Sequence, residues 1–237
     1  MPVYVYSIVA TSHPQNLNGL NGVGDPPSKL RTVQSEELTA VVSDAPEELR
    51  PKRRDLGAHQ AVQEALMADG TVLPLQFGFT TTDDDSVREV LQERAEVYAE
   101  RLEALEGCAE YHLKVSQAEE ALLRQILLES DQARALNEQI TSGTGGPEVP
   151  LALGELIAAE VQAREEQFVD RIVGELRGFA REESLSQATG DDFLSVSFLV
   201  DQDNEKSFLY AEQELAQELG EDFSFRLLGP LPAYSFV

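Results

Sequence analysis

Tryptophan is missing from this 237-residue chain, and cysteine occurs once, at Cys108. A single thiol excludes an intrachain disulfide and leaves too few soft ligands for a cysteine-based zinc site. Histidine is scarce as well. His13, His59 and His112 stand far apart, and no two have metal-ligand spacing. Long apolar runs are absent. The richest stretch, Val149 to Val161, is interrupted by Glu155 and falls short of the ~18–20 apolar residues of a membrane helix. No basic segment leads into an apolar core at the N-terminus, so no signal peptide is visible and the expected compartment is the cytoplasm. Positive charge is in short supply: 18 Lys and Arg face 43 Asp and Glu, for a net charge of −25. The excess is shared, −9 over residues 1–107 and −16 over the remainder. Such a field repels phosphate backbones and anionic lipid alike, which argues against nucleic-acid or membrane partners.

Signatures of catalysis are lacking too. There is no phosphate-binding Gly-x-x-x-x-Gly-Lys loop and no Gly-x-Ser-x-Gly elbow. Thr141–Pro147 is rich in glycine but carries no lysine, and reads as a flexible break between helices. Asp83-Asp84-Asp85 lacks the alternating ligands of a calcium loop; acidic residues ahead of a helix favour its N-terminal dipole. Arg50, Lys52, Arg53 and Arg54 form the sole basic island. It is either a solvated loop or a docking point for an acidic surface. No catalytic residue, cofactor or metal is expected, and the chain does not read as an enzyme.

Apolar content of 42% is ordinary for a globular protein, and the length suffices for one large or two small domains. Pro2 to Ala10 reads as a strand, 12–28 as an exposed loop, and Leu30–Ser35 with Leu38–Ser43 as a strand pair around Glu36-Glu37. Helical spacing runs from Asp55 to Met67 through Leu56, Ala58, Ala61, Val62, Ala65 and Leu66. Val72–Phe79 reads as a short buried strand with Gly78 as a close-approach or bulge position. One long helix is expected from Asp83 to Leu105, with a stripe of Val87, Val90, Leu91, Val97, Tyr98, Leu102 and Leu105. From Cys108 the alternation of Tyr111, Leu113 and Val115 predicts a half-buried strand. A helix to about Ile140 follows, then a long helix from about Leu151 to Glu183, a strand Phe193–Asp201, a helix Asn204–Leu219 and a strand Phe223–Leu228. The fold class is therefore α+β in two domains, 1–107 and 108–228, followed by an apolar tail, 229–237. The second domain reads as a small antiparallel sheet covered by helices on one face.

The tail is the most informative stretch. Most chains end in polar, poorly ordered residues. This one ends Gly229-Pro230-Leu231-Pro232-Ala233-Tyr234-Ser235-Phe236-Val237. Two prolines forbid a helix or a central strand, so the segment should lie extended with Tyr234 and Phe236 as anchors. Its bed is either the protein's own core or a partner.

Three features together resemble the gas vesicle protein F/L family. They are the N-terminal strand Val3–Val9; the Leu-Pro-x-x-Phe-Gly of Leu73, Pro74, Phe77 and Gly78; and the terminal motif of Gly229, Pro230, Pro232, Tyr234, Ser235 and Phe236. The resemblance covers nearly the whole chain in order. It implies a modified ferredoxin-like C-terminal domain and a non-enzymatic accessory or minor structural component of gas vesicles. It further implies binding to the small hydrophobic shell protein, which limits that protein's aggregation during nucleation. Other gas vesicle accessory proteins are further partners. The ten motif residues are read as structural or partner-binding positions. His59 matches a histidine common in the family. A scaffold among accessory proteins, a small-molecule-binding module and an enzyme remain as alternatives.

Overall fold

Alternating aromatic and β-branched residues make Val3–Ala10 the first strand, β1, and seven of its eight residues are buried. The computed structural model describes all residues from Met1 to Val237. Next come β2 (Arg31–Ser35), β3 (Leu38–Asp44), α1 (Arg53–Asp69), β4 (Leu73–Pro74), β5 (Thr80–Thr81), α2 (Asp84–Glu93) and α3 (Ala95–Ala104). The chain continues with β6 (Cys108–Gln117), α4 (Glu119–Glu129), α5 (Asp131–Thr141), α6 (Val149–Arg177) and β7 (Glu182–Leu185). It closes with β8 (Asp192–Asp201), α7 (Glu205–Leu219), β9 (Phe223–Leu231) and a 3₁₀ turn at Tyr234–Phe236. The protein is a mixed α and β molecule with two sheets. No helix is long and apolar enough to cross a membrane.

Two compact units divide these elements. The first takes residues 1–111, 199–202 and 228–237, the second 112–198 and 203–227. In the first unit the strand order is β2-β3-β1-β4, with β5 also pairing β1, and every pair is antiparallel. Both faces of this sheet are covered. Val3, Val5, Ile8, Ala40 and Val42 meet Val87 and Leu91 of α2 and Leu102 of α3. Tyr4, Tyr6, Val9 and Val41 meet Val62 and Leu66 of α1, with Val23 and Leu30 from the loop before β2. A bulge between Val5 and Ser7 inserts Tyr6 as an extra residue against β3. That shift is why Tyr4 and Tyr6 share the α1 side while Ile8 faces α2 and α3.

In the second unit the sheet order is β7-β8-β6-β9. Leu113, Val115, Leu194 and Val196 on the strands, and Ile172, Leu176, Phe208 and Leu215 on α6 and α7, are all buried. Phe208 packs on Phe198 at 5.4 Å between ring centroids. The first half of α6 closes a separate small cluster with Leu122 and Ile126 of α4 and Ala133 of α5.

Several elements depart from the sequence reading. The expected strand Val72–Phe79 is a two-residue bridge, β4, after which the chain loops out and rejoins β1 at β5. Leu75 N–H donates to Tyr6 O (2.9 Å) and Val5 N–H to Phe79 O (3.1 Å), so β4 and β5 act as one interrupted edge strand. The single helix expected from Asp83 to Leu105 breaks at Arg94 (φ −114°, ψ 18°), and Val97 is 61% exposed. The helix expected to reach Ile140 breaks at Ser130, whose hydroxyl accepts from Ala133 N–H and caps α5. The long helix ends at Arg177, and part of its expected end becomes β7. The final strand runs on to Leu231, through the first proline of the tail, because β9 is an edge strand. The loop 12–28 buries Gly22, Val23 and Gly24 as well as His13.

Candidate functional site

The buried stripe of α1 is polar where helical spacing suggested alanine. Asp55, His59, Val62, Gln63 and Leu66 face inward, while Leu56 is 41% exposed. Buried polar groups need partners, and here those partners come from segments remote in sequence. Gln63 Nε2–H donates to Tyr6 O (2.6 Å), and Ser7 Oγ–H donates to Gln63 Oε1. The bulged stretch of β1 is thereby tied to α1. Tyr6 OH lies 2.9 Å from Ser43 Oγ and accepts from Val23 N–H at 2.8 Å. Asp55 accepts from Gly24 N–H at 3.0 Å, the main reason its carboxyl sits below the ordinary range; Arg54 adds to the effect.

His59 is the hub. Its Nδ1 is 2.9 Å from Tyr4 OH and its Nε2 3.2 Å from Tyr234 OH. Tyr4 OH also accepts from Gly78 N–H (3.2 Å). Gln63 Nε2 lies 3.4 Å from His59 Nε2, on the side that faces the tail. Burial holds His59 below its ordinary pKa, against a smaller opposing hydrogen bond to the Leu75 backbone. Burial likewise pushes Tyr4 and Tyr6 upward, and Tyr234 up to about 12. Four neutral aromatic side chains therefore surround a neutral imidazole. Phe77 stands edge-on to His59 at 5.8 Å between centroids, and Tyr6 stacks on it at 5.6 Å.

Each sequence motif sends residues to this hub, Phe77 and Gly78 from one and Tyr234 from the other. Leu73 is fully buried opposite Ile8, and Pro74 is buried opposite Ser7. Gly78 has φ +102°, a conformation that L side chains rarely adopt, and this turns its N–H onto Tyr4. In the tail, a Cβ on Gly229 would collide with the Tyr111 ring. Pro230 is exposed, Pro232 buried, and the backbone then closes the 3₁₀ turn through Tyr234 N–H to Pro232 O (2.8 Å) and Phe236 N–H to Ala233 O (3.2 Å). Phe236 is 6% exposed, in the cluster with Val5, Leu91 and Leu102. Ser235 donates through N–H (2.8 Å) and Oγ–H (2.7 Å) to the buried carboxylate of Glu110. Arg101 donates to Phe236 O. Tyr4, Tyr6, Gln63 and Glu110 escaped the sequence reading. Only the i, i+4, i+8 spacing of Asp55, His59 and Gln63 hinted at a polar face.

The remaining candidates lie apart. Asp83 caps α2, accepting from Ser86 N–H at 2.8 Å. In the basic island Arg54 pairs with Asp25 (2.8 Å) and Arg50 with Glu48 (3.2 Å), leaving Lys52 and Arg53 exposed. His13 Nε2 lies 3.0 Å from Leu66 O at the end of α1. His112 in the second unit lies between Ser197 and Ser195, at 2.9 and 3.3 Å. Half-buried Cys108 points its Sγ at Asp201, 3.8 Å away. None of these assembles a nucleophile, a base and an oxyanion pocket.

Comparison with known proteins gives concordant matches. The family model described as gas vesicle synthesis protein GvpL/GvpF matches residues 2–237. Gas vesicle protein F of Streptomyces sp. (strain CB03234) is 43% identical over 238 residues, covering 100% of each chain. The crystal structure of GvpF from Anabaena sp. PCC7120 superposes with a TM-score of 0.86 at 23% identity, covering 99% of this chain and 97% of that one. That of GvpF from Microcystis aeruginosa gives 0.80 at 23%, covering 99% and 98%. At this identity the two structures establish a shared fold.

Proposed function

The chain belongs to the gas vesicle synthesis protein GvpL/GvpF family, and from that premise we propose that it binds the small hydrophobic shell protein and prevents its aggregation while gas vesicles nucleate and assemble. The coarser role, an accessory or structural protein of gas vesicles, comes with the family. The observation that supports the finer reading is the family match over residues 2–237. Physical chemistry supports it. A shell subunit with a large apolar face is an aggregation hazard. A companion of net charge −25 covering part of that face keeps the complex dispersed. The work is done at the gas vesicle, in the cytoplasm, and other accessory proteins join the same assembly.

The ten motif residues are assigned to structure. Phe77 and Gly78 stand at the His59 hub and Tyr234 joins them from the tail, while Leu73 and Phe236 pack on the opposite face of the sheet. Full-length similarity to a relative named gas vesicle protein F favours the F branch. The second sheet is read as a modified ferredoxin-like unit. Its order β7-β8-β6-β9 fits a β-α-β-β-α-β pattern in which α4, α5 and α6 together replace the first helix.

Co-expression with the shell protein of the same host tests the reading. The shell protein should co-purify with this chain, and its soluble fraction should rise. A shell protein that neither co-purifies nor gains solubility would overturn direct capture.

A further inference from the structure

A groove of 660 Å³ opens in the second unit between the start of α4, the middle of α6 and the turn into β9. Leu122, Leu123, Ile157, Val161 and Phe223 give it an apolar floor. Leu122 is buried and the other four are half-buried. Around that floor stand Glu119, Glu165, Asp191, Glu221 and Asp222, and no Lys, Arg or His lines it. The rim is built rather than incidental, since Ala118 N–H donates to Asp222 O (2.8 Å) and fixes the start of α4 against the turn before β9. The floor joins the cluster that Leu122 forms with Ile157 and Val161, so the apolar surface stays in place without a ligand.

Two further observations mark the groove as unfinished. Gln117, at its edge, has a buried Oε1 with no hydrogen-bond partner. Such an orphan acceptor is a cost to the folded chain. Glu165, partly buried against the floor, has its carboxyl raised by desolvation, and no basic group offsets this. A cation placed in the groove would stabilise the Glu165 carboxylate.

We propose that this groove docks a basic amphipathic helix of a partner protein. Aliphatic side chains at i, i+3, i+4 and i+7 would lie on the floor. Lys or Arg side chains flanking that stripe would reach Glu165, Asp191 and Glu221. Charge complementarity selects this occupant. An acidic or neutral helix would bring five carboxylates out of water unpaired, whereas a basic one neutralises them. The proposal uses no residue of the His59 hub and does not depend on which gas vesicle protein supplies the helix.

The test is fluorescence anisotropy on the full-length chain at near-physiological salt. The probe is a labelled synthetic peptide of Leu and Lys in helical register, about four turns long. A Leu/Glu peptide in the same register serves as comparison. The Leu/Lys peptide should bind and the Leu/Glu peptide should not. Because the whole molecule is acidic, the decisive comparison is between two triple variants of equal net charge. Glu165→Gln/Asp191→Asn/Glu221→Gln should weaken binding at least about tenfold, and Glu96→Gln/Glu100→Gln/Glu103→Gln on α3 less than about twofold. Leu123→Glu should also abolish binding, with the fold checked by circular dichroism. No binding, or equal loss in the two triple variants, would overturn the proposal. Displacement by spermidine at equal affinity would do so as well, since it would mark the groove as a site for small cations.

Discussion

His59 couples three segments of the first unit, and its protonation state is where a single residue sets a measurable property. Its folded pKa lies below the unfolded value because burial disfavours the imidazolium. As pH falls through about 6.5, the unfolded chain takes up a proton that the folded chain refuses. Stability is therefore complete above that pH and declines below it, by at most about 1.4 kcal/mol per pH unit from this group. Chemical denaturation from pH 5 to 7.5 should show a steeper fall on the acid side for the wild type than for His59→Gln; parallel curves would contradict the assignment. Gly229 offers a second test at this scale. Gly229→Ala drives a methyl into the Tyr111 ring and should destabilise by about 1–3 kcal/mol, as overpacking does. Pairing it with Tyr111→Leu should recover part of that loss, since the neighbour then leaves room.

At the scale of elements, the tail and α1 hold the first unit. Phe236 sits in the sheet's α2 side while Tyr234 reaches the hub on the α1 side, so one short segment contacts both layers. Phe236→Ala should cost about 3–5 kcal/mol by the usual cost of truncating a buried phenylalanine, read as a shift in denaturant midpoint at unchanged slope. Gln63→Leu tests the seam between α1 and β1. It strips the donor from Tyr6 O and the acceptor from Ser7 Oγ–H, so the loss should exceed what helix propensity alone would give. The elements also show where sequence reading works. β1, the β2–β3 pair and α7 follow from plain alternation, helical spacing and turn residues. The breaks at Arg94 and Ser130 did not, because apolar spacing carries on across both of them. The strand read over Val72–Phe79 shortens to Leu73–Pro74, because the apolar run continues through the turn at Phe77-Gly78 and hides it. The hub was hidden for a different reason. His59 and Gln63 look like surface residues until Tyr4, Tyr6 and a tail about 170 positions away supply their partners.

For the whole molecule, net charge is the governing quantity. A charge of −25 imposes self-repulsion that salt screens. The melting temperature should accordingly rise between low and moderate sodium chloride; an unchanged or falling value would mean that local ion pairs such as Arg31 with Asp44 and Asp84 outweigh the global field. The same charge gives the chain its proposed value as a companion, because a complex inherits its repulsion from other complexes. Membership in the gas vesicle family was legible from the tail and the Leu73–Gly78 motif. The direct test of the proposed capture uses purified components: shell protein diluted from denaturant into buffer with or without this chain, followed by light scattering. Suppression that saturates near equimolar ratio, with the two proteins co-eluting on gel filtration, is the predicted result. Scattering that grows at the same rate whether or not the chain is present would contradict it.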